Sequence, residues 1–258
     1  MSSQTNYPTA ADPITEAATT TEATTATEAT ATTMKAPAAI ESDEHTQHIV
    51  VRFPAQGKSL PADHGYALYS ALARRLPELH TARWLAIELI SGIPWQQGII
   101  ALPTRHAAAL HLRLPAAAFG KVIPLAGSRL DIDGHQLTLG LPTARPLTPA
   151  ASLYARFVSI RNSTEPEPFL DAARRQLDAL GIANTATLEL PRDEQGRFRR
   201  RILKIKYATI VGFSLAAHNL SDDDSLKLQT HGLGGRRKMG CGIFNPIRQT
   251  AATIDKRQ

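Results

Sequence analysis

The sequence predicts an α+β protein made of two tandem ferredoxin-like (RRM-like) βαββαβ domains. Two stretches, 46–143 and 150–248, each follow the order strand, helix, strand, strand, helix, strand. Each stretch has about 100 residues, which is a common domain size. Pro142, Pro146 and Pro149 lie where one stretch gives way to the other and indicate a linker.

Charge is distributed unevenly along the chain. Residues 1–45 are rich in Thr, Ala and Glu and carry one cation and seven acids, whereas the remainder carries 28 cations and 16 acids. Because residues 1–45 contain almost no large apolar side chains, we expect them to form a disordered tail, with a second, short tail at 249–258. The basic remainder favours an acidic polymer or an anionic surface as partner.

The first domain begins with a strand at 49–53 that Pro54 ends. Asp63 is expected to cap a helix that continues to Leu76, with apolar residues at helical spacing, and Pro77 stops it. A short helix is predicted at 115–123, and further strands at 84–90, 98–102, 108–114 and 128–139, the last containing a turn at Asp133-Gly134.

The second domain repeats this order. A helix at 168–180 is ended by Gly181, and Ser221 is expected to cap a second helix whose first turn carries three aspartates at the positive end of its dipole. Strands are predicted at 153–160, 187–190, 199–217 and 239–247.

Residues 231–244, here named the glycine loop, precede the last strand and contain five glycines around Arg236, Arg237 and Lys238. Glycine backbone can lie close against a ligand, and adjacent cations suit a phosphate-rich partner. Composition alone also allows a flexible basic turn. The loop matches neither phosphate-loop pattern of nucleotide-binding proteins, so no cofactor is expected.

A second basic stretch lies around a predicted turn at Gly196, where six cations fall within ten residues and Phe198 could stack on a base. The alternative is a solvated strand face. The cations are Arg197, Arg199, Arg200, Arg201, Lys204 and Lys206.

Several kinds of site are not expected. Cys241 is the only cysteine, so neither an intrachain disulfide nor a thiolate zinc cluster can form, and we expect a structural role for it. No His, Cys or carboxylate cluster has metal-ligand spacing, so no metal is expected. No apolar run reaches the length of a membrane span, and no secretion signal is visible, which favours a cytoplasmic protein without a membrane partner.

Two ferredoxin-like domains followed by this glycine loop resemble the repeat-associated mysterious protein (RAMP) superfamily. Within it, residues 232–244, 60–69 and 76–80 are similar to the CRISPR-associated endoribonuclease that cuts precursor CRISPR RNA (Cas protein six), in its Myxococcus-type form. The resemblance covers about residues 48–248 and implies a metal-independent enzyme. The 2′-OH of the RNA would attack the adjacent phosphate, which would cut the repeats in CRISPR RNA and leave a 2′,3′-cyclic phosphate. The enzyme could then stay with other Cas subunits in an effector complex.

Two other functions remain open. One is a non-catalytic RNA-binding subunit of a RAMP-type complex, which would share every basic feature but need no histidine. The other is an unrelated protein with two RRM-like sheets. The aromatic motif of RRM strands is not evident, which counts against the second.

The resemblance places a catalytic histidine in or just after the first helix, facing the glycine loop across a cleft between the domains. His80 matches this position and is the first candidate; His64, at the start of the helix, is the second. Some relatives carry a tyrosine in this helix, for which Tyr66 is the candidate and Tyr69 the neighbouring alternative. Near neutral pH, histidine can act as the base that takes the proton of the 2′-OH or as the acid that protonates the 5′-oxygen. The residues expected to bind RNA are Gly232, Gly234, Gly235, Arg236, Arg237, Lys238, Gly240, Arg199, Arg200, Arg201, Lys204 and Lys206.

Overall fold

The chain folds into two larger antiparallel sheets, each packed against helices, and one small sheet. The computed structural model describes residues 47–102, 108–182, 185–205 and 208–247. The two predicted tails and Lys206 lie outside these ranges. In the described part of the chain, no helix is both long and apolar enough to cross a membrane.

The N-terminal half, up to residue 146, contains most of the strands. Its elements are β1 (His48–Gly57), β2 (Ser59–Pro61), α1 (Gly65–Arg75), β3 (Ala86–Ile87), β4 (Ile93–Gln96), β5 (Ile99–Ala101), β6 (Ala109–Pro115), α2 (Phe119–Val122), β7 (Arg129–Ile132), β8 (His135–Leu139) and β9 (Thr143–Pro146). Short 3₁₀ helices follow α1 at Pro77–His80 and flank α2 at Ala116–Ala118 and Ile123–Leu125.

The C-terminal half, from residue 153, contains the longest helix among the described residues. Its elements are β10 (Leu153–Val158), α3 (Pro166–Ala179), β11 (Thr187–Glu189), β12 (Arg200–Ile205), β13 (Ala208–His218), α4 (Asp222–His231) and β14 (Phe244–Pro246), with a 3₁₀ turn at Arg237–Met239 in the glycine loop.

Both larger sheets share one strand order. The first runs β3-β6-β1-β8-β7, with β9 also paired to β1, and the second runs β11-β13-β10-β14, with β12 paired to β13. In the first sheet β1 lies between β6 and β8, and in the second sheet β10 lies between β13 and β14. This is the ferredoxin-like order, so the predicted fold class is confirmed.

Each half has its own hydrophobic core. Alternate residues of β1, among them Val51 and Phe53, face Leu68 and Leu72 of α1, and all four side chains are buried. In the second core, Phe169 of α3 packs edge-to-face against Phe213 of β13 with ring centroids 5.0 Å apart. The order of elements could be predicted because buried residues alternate along the strands and recur at helical spacing along the helices.

Three predicted boundaries were wrong. Only Ala86–Ile87 of the stretch 84–90 pairs as a strand. The last strand begins at Phe244, because Gly240 and Gly242 have φ of 83° and 67°, which a strand cannot continue through. Pro146, expected in the linker, ends β9, an edge strand in which a missing N–H is tolerated.

The predicted cap of α1 was also wrong. His64 occupies the N-cap position, and no side chain caps the helix. The carboxylate of Asp63 instead accepts a hydrogen bond of 2.8 Å from the backbone N–H of Lys204 in β12. A tertiary contact between the halves has taken the place of a local cap. In contrast, Ser221 caps α4 as predicted, by accepting from the N–H of Asp224.

Arg113 of β6 joins the two halves and is only 2% exposed. Nη1 donates to the carbonyl oxygens of Gln229 (2.9 Å) and Phe244 (2.7 Å) in the C-terminal half. Nη2 donates to Glu88 Oε1 (2.9 Å) and Asn245 Oδ1 (2.6 Å). Burial lowers the pKa of Arg113, and the Glu88 carboxylate opposes that shift. The guanidinium thereby holds α4 and β14, which border the glycine loop, against the first sheet.

The glycine loop also fits sterically against the N-terminal half. A Cβ at Gly65, the first residue of α1, would lie 2.5 Å from the carbonyl oxygen of Met239. A Cβ at Gly240 would overlap the side chain of Leu89. Both glycines are therefore required for the close approach of the loop to the start of α1.

We predict that Arg113→Met lowers the free energy of unfolding by about 3–5 kcal/mol, because it leaves Glu88 and two carbonyls without their buried donor. Urea denaturation followed by circular dichroism measures the change. Arg83→Met, at an exposed arginine of the same half, is the matched control and should change stability by about 0.5 kcal/mol or less. Equal midpoints for the two variants would show that Arg113 does not stabilise the contact between the halves.

Candidate active site

His80 is presented to solvent by a single 3₁₀ turn. Pro77 starts this turn, since its ring prevents α1 from continuing. Leu79 is 1% exposed and anchors the turn in the first core, whereas His80 is exposed. The hydroxyl of Tyr69 lies 3.0 Å from Nδ1 of His80, and the two rings meet edge-to-face. No described residue hydrogen-bonds to Nε2, so that nitrogen is available to a ligand.

Lys238 of the glycine loop reaches the same turn from the other half of the protein. Its Nζ donates to the carbonyl oxygens of Leu79 (2.7 Å) and His80 (2.8 Å) and lies 5.8 Å from the centroid of the Tyr69 ring. Partial burial lowers the pKa of Lys238. An ammonium has three N–H groups, so one remains for an anion next to His80. The structure thus brings together Tyr69, His80 and Lys238, from three separate segments.

His64 lies inside the protein, with no exposed surface. Its Nε2 accepts from the backbone N–H of Ile90 (3.0 Å), and its Nδ1 lies 2.8 Å from the carbonyl oxygen of Pro61. These partners require a neutral ring with its proton on Nδ1, and burial lowers the pKa of His64 in agreement. This arrangement favours a structural role for His64 over the catalytic role expected from the sequence.

Tyr66 and Tyr69 occupy successive positions one turn apart on α1, and both are half-buried. Only the hydroxyl of Tyr69 meets a histidine; no described residue hydrogen-bonds to that of Tyr66. Sequence spacing could not separate the two tyrosines, because the partner His80 returns to the helix only after the chain turns at Pro77.

Most glycines of the glycine loop pack against other residues of the protein. Gly232 has φ of 65° and ends α4, and a Cβ there would overlap the carbonyl oxygen of Gly242. The N–H of Gly234 donates to Oε1 of Gln176 on α3 (2.7 Å). Gly235 is exposed and has open space beside it. Internal packing therefore explains Gly232 and Gly234, for which the sequence suggested close approach of RNA.

The three cations of the loop point to different surroundings. Arg236 is exposed and has a left-handed backbone with φ of 61°. Arg237 is mostly buried, and its Nε has no hydrogen-bond partner among the described residues. Burial and the nearby Arg113 lower the pKa of Arg237 to about 10. Arg236 and Lys238 are thus accessible to an anion, whereas Arg237 lies towards the interface between the halves.

The second basic stretch lies mainly on β12, which pairs with β13 from Arg200–Phe213 to Ile205–Ala208. The predicted turn at Gly196 is present: Arg192 and Phe198 form an antiparallel bridge across it, and the N–H of Asp193 donates to the carbonyl oxygen of Arg197. The cations from Arg200 onward lie beyond this turn, on β12.

The cations of β12 differ in their freedom. Arg200 donates to Glu165 (2.9 Å) and to the carbonyl oxygen of Thr164, which ties it to the start of α3. Arg201 Nε lies 3.3 Å from Ser214 Oγ. Lys204 is exposed, and its side chain has no hydrogen-bond partner among the described residues.

Arg199 and Phe198 precede β12. Arg199 is exposed and donates from Nε to the Arg192 carbonyl oxygen over 3.3 Å. The Arg192 guanidinium lies 3.9 Å from the centre of the Phe198 ring, so it covers one face of that ring. At most one face of Phe198 is left for a base.

The described residues provide neither a metal site nor a reactive thiol. Among the described residues, no group of three or more His, Cys, Asp or Glu side chains could hold a metal ion. Cys241 is fully buried beside Phe157 and Leu203, and burial raises the pKa of its thiol to about 12. A thiol with that pKa stays protonated at neutral pH and is a poor nucleophile.

Comparison with known proteins places these observations in one family. The family model described as "Cas6 Crispr" matches residues 49–249. The chain is 39% identical over 194 residues to the CRISPR-associated endonuclease Cas6 of Myxococcus xanthus (strain DK1622), a match that covers 75% of this chain and 79% of the relative.

Two solved structures are similar in fold. One is the product of a Cas6-related gene from Pyrococcus furiosus, with a TM-score of 0.58, 14% identity and coverage of 79% of this chain and 100% of that one. The other is a RAMP protein described as binding different RNA substrates, with a TM-score of 0.56, 14% identity and coverage of 78% and 100%. The resemblance inferred from the glycine loop is thereby confirmed, and the chain belongs to the Cas6 family of CRISPR-associated proteins.

Proposed function

We propose that this protein is an endoribonuclease that cleaves precursor CRISPR RNA within its repeats to give mature guide RNA. Its similarity to a Cas6 endonuclease supports the substrate class. The observation that carries the proposal is the meeting of His80, Tyr69 and Lys238 at one exposed place, where the two halves of the protein join.

The proposed reaction uses a nucleophile that the substrate itself supplies. The 2′-OH attacks the adjacent phosphate, so a P–O2′ bond forms and the P–O5′ bond breaks. A base takes the proton of the 2′-OH, and an acid gives a proton to O5′. The products are a 2′,3′-cyclic phosphate and a 5′-OH. This reaction needs neither a metal ion nor an activated water molecule.

His80 would carry out one of the two proton transfers through Nε2. The Tyr69 hydroxyl can both donate and accept, so it can stay bonded to Nδ1 whichever ring nitrogen holds the proton. Lys238 would direct its remaining N–H towards a non-bridging phosphate oxygen, where negative charge grows in the transition state. His64 would support the site by fixing the segments on either side of α1.

The RNA strand would be held by cations of the glycine loop and of β12. Arg236, next to Lys238, and Arg199 and Lys204, beside and on β12, are exposed, and Arg201 of β12 is half-buried. The remaining residues predicted to bind RNA, including Lys206, stay predictions. So do the association with other Cas subunits and the cytoplasmic location.

We predict a single cut in repeat RNA in the presence of EDTA. His80→Ala should lower the single-turnover cleavage rate by a factor of about 10²–10⁴, because one proton transfer loses its catalyst. RNA affinity, measured by fluorescence anisotropy, should not change, because His80 lies at the chemistry rather than along the strand.

Three results would contradict this prediction in different ways. Cutting that appears only after magnesium is added would exclude the metal-independent reaction. Full activity of His80→Ala would remove His80 from the mechanism. Tight binding of repeat RNA without cleavage under any condition would assign the protein to the non-catalytic RNA-binding subunits.

We also predict that Tyr69→Phe slows cleavage by about 10- to 100-fold, or roughly 1.4–2.7 kcal/mol in the barrier. The substitution removes only the hydroxyl that orients the imidazole of His80. Tyr66→Phe is the matched control on the same helix and should retain the parent rate. A larger loss in Tyr66→Phe than in Tyr69→Phe would assign the tyrosine role to Tyr66.

A further inference from the structure

Both halves carry an insertion at the same point of the ferredoxin-like order, between its second and third strands. In the N-terminal half it is the hairpin of β4 and β5, between β3 and β6; in the C-terminal half it contains β12, between β11 and β13. The two insertions differ in chemistry. Residues 89–102 contain no charged side chain, whereas residues 192–204 contain six cations.

The two insertions are held close together by neighbouring residues of one loop. The N–H of Ala62 donates to the carbonyl oxygen of Gly98 at the tip of the β4–β5 hairpin, and Asp63 binds the N–H of Lys204 in β12. Since a strand rises about 3.3 Å per residue, Trp95, three residues before Gly98, lies about 10 Å along the hairpin from this junction. Leu89, which leads into the hairpin, also contacts Gly240 of the glycine loop.

Trp95 is a large aromatic side chain left in solvent. It is 62% exposed, and its neighbour Ile93 is 56% exposed. The register of β4 with β5 shifts between Pro94 and Gln96, so Trp95 is the residue at the irregularity. The other tryptophan, Trp84, is half-buried against the first core. Isolated exposed apolar residues need no explanation, but these two lie on a hairpin that is joined through Ala62 and Asp63 to the basic strand β12.

Strand addition by another protein is a poor fit to this edge. Pro94 has no N–H to donate, and the irregularity at Trp95 interrupts the ladder, two features that protect edge strands from pairing. Phosphate binding is also a poor fit, because residues 89–102 have no cation. What the hairpin offers is an open aromatic ring on an insertion that is joined, through Ala62 and Asp63, to a strand of cations. Aromatic rings combined with cations bind single-stranded nucleic acid.

We propose that Trp95 is a stacking platform for an unpaired base of the bound RNA, while β12 holds the backbone of the same strand. This proposal rests on the proposed function, since it takes the RNA substrate as given. It adds a base contact on the N-terminal half to a set of phosphate contacts. Stacking accepts any base, so Trp95 would contribute affinity and register rather than a sequence requirement.

The test is a titration of the full chain with repeat RNA, followed by tryptophan fluorescence and, in parallel, by anisotropy of labelled RNA. Trp84 and Trp95 are the only tryptophans, so each can be observed alone. Trp84→Phe should retain the quenching caused by RNA, and Trp95→Phe should lose it while binding RNA nearly as well. Trp95→Ala should weaken binding by roughly 5- to 150-fold. Its urea midpoint should be unchanged, because the side chain is exposed.

Two outcomes would overturn the stacking and leave the endoribonuclease intact. One is parent affinity and cleavage rate in Trp95→Ala, with no quenching assignable to Trp95. The other is parent RNA affinity in Trp95→Ala, together with loss of a dimer detected by sedimentation, which would assign the hairpin to a contact between two copies. If the parent protein binds no repeat RNA at all, the proposed function fails first and the stacking fails with it.

Discussion

The buried guanidinium of Arg113 is the contact on which the arrangement of the two halves depends. Removing a charge from water costs free energy unless the charge finds hydrogen-bond partners. The two terminal nitrogens of Arg113 find Glu88 in their own half and acceptors on α4 and β14, whereas Nε has no partner among the described residues. Those acceptors lie at the two ends of the glycine loop. The position of the loop, and with it the position of Lys238, therefore follows from a side chain on the opposite sheet.

The steric fit of the glycine loop against α1 and Leu89 restricts the position of the loop further. Gly65 and Gly240 allow the loop to rest on the first turn of α1 and on Leu89, with no space for a methyl group at either contact. The start of α1 is in turn fixed by His64, whose ring bonds backbone on both sides. The hydrogen bonds of Arg113 determine which surfaces of the two halves meet, and Gly65 and Gly240 determine how closely these surfaces approach.

Local sequence patterns were sufficient for the order of elements but not for contacts between halves. Alternation in β1, the prolines and the capping Ser221 are properties of short segments, and the structure has the elements they predict. His80 was singled out by resemblance and lies at an exposed turn. Tyr69 was not preferred over Tyr66, because its partner lies beyond a turn whose direction no local pattern specifies.

The burial of His64 and the partial burial of Arg237 could not be predicted for the same reason. A histidine at a helix start and a cation in a glycine-rich loop are both ordinary surface features when only the sequence is considered. Ile90, distant from His64 in the sequence, hydrogen-bonds to its ring, and Arg237 lies near Arg113 of the other half. The packing of Gly232 and Gly234 against carbonyl oxygens of Gly242 and Ser159 likewise depends on contacts that no local pattern specifies.

The proposed metal-independent reaction would make a particular demand on the protein, which the position of Lys238 would meet. Without a divalent cation, the growing charge on the phosphate must be met by side chains, and these are worth most when they do not have to reorganise. A free lysine would lose up to about 2 kcal/mol of side-chain entropy on being fixed beside the phosphate. In this fold, hydrogen bonds to the Leu79 and His80 carbonyls fix Lys238 before any substrate binds. Since one of those carbonyls belongs to His80 itself, the proposed charge stabiliser and the proposed proton-transfer group would be placed by the same contact between the two halves.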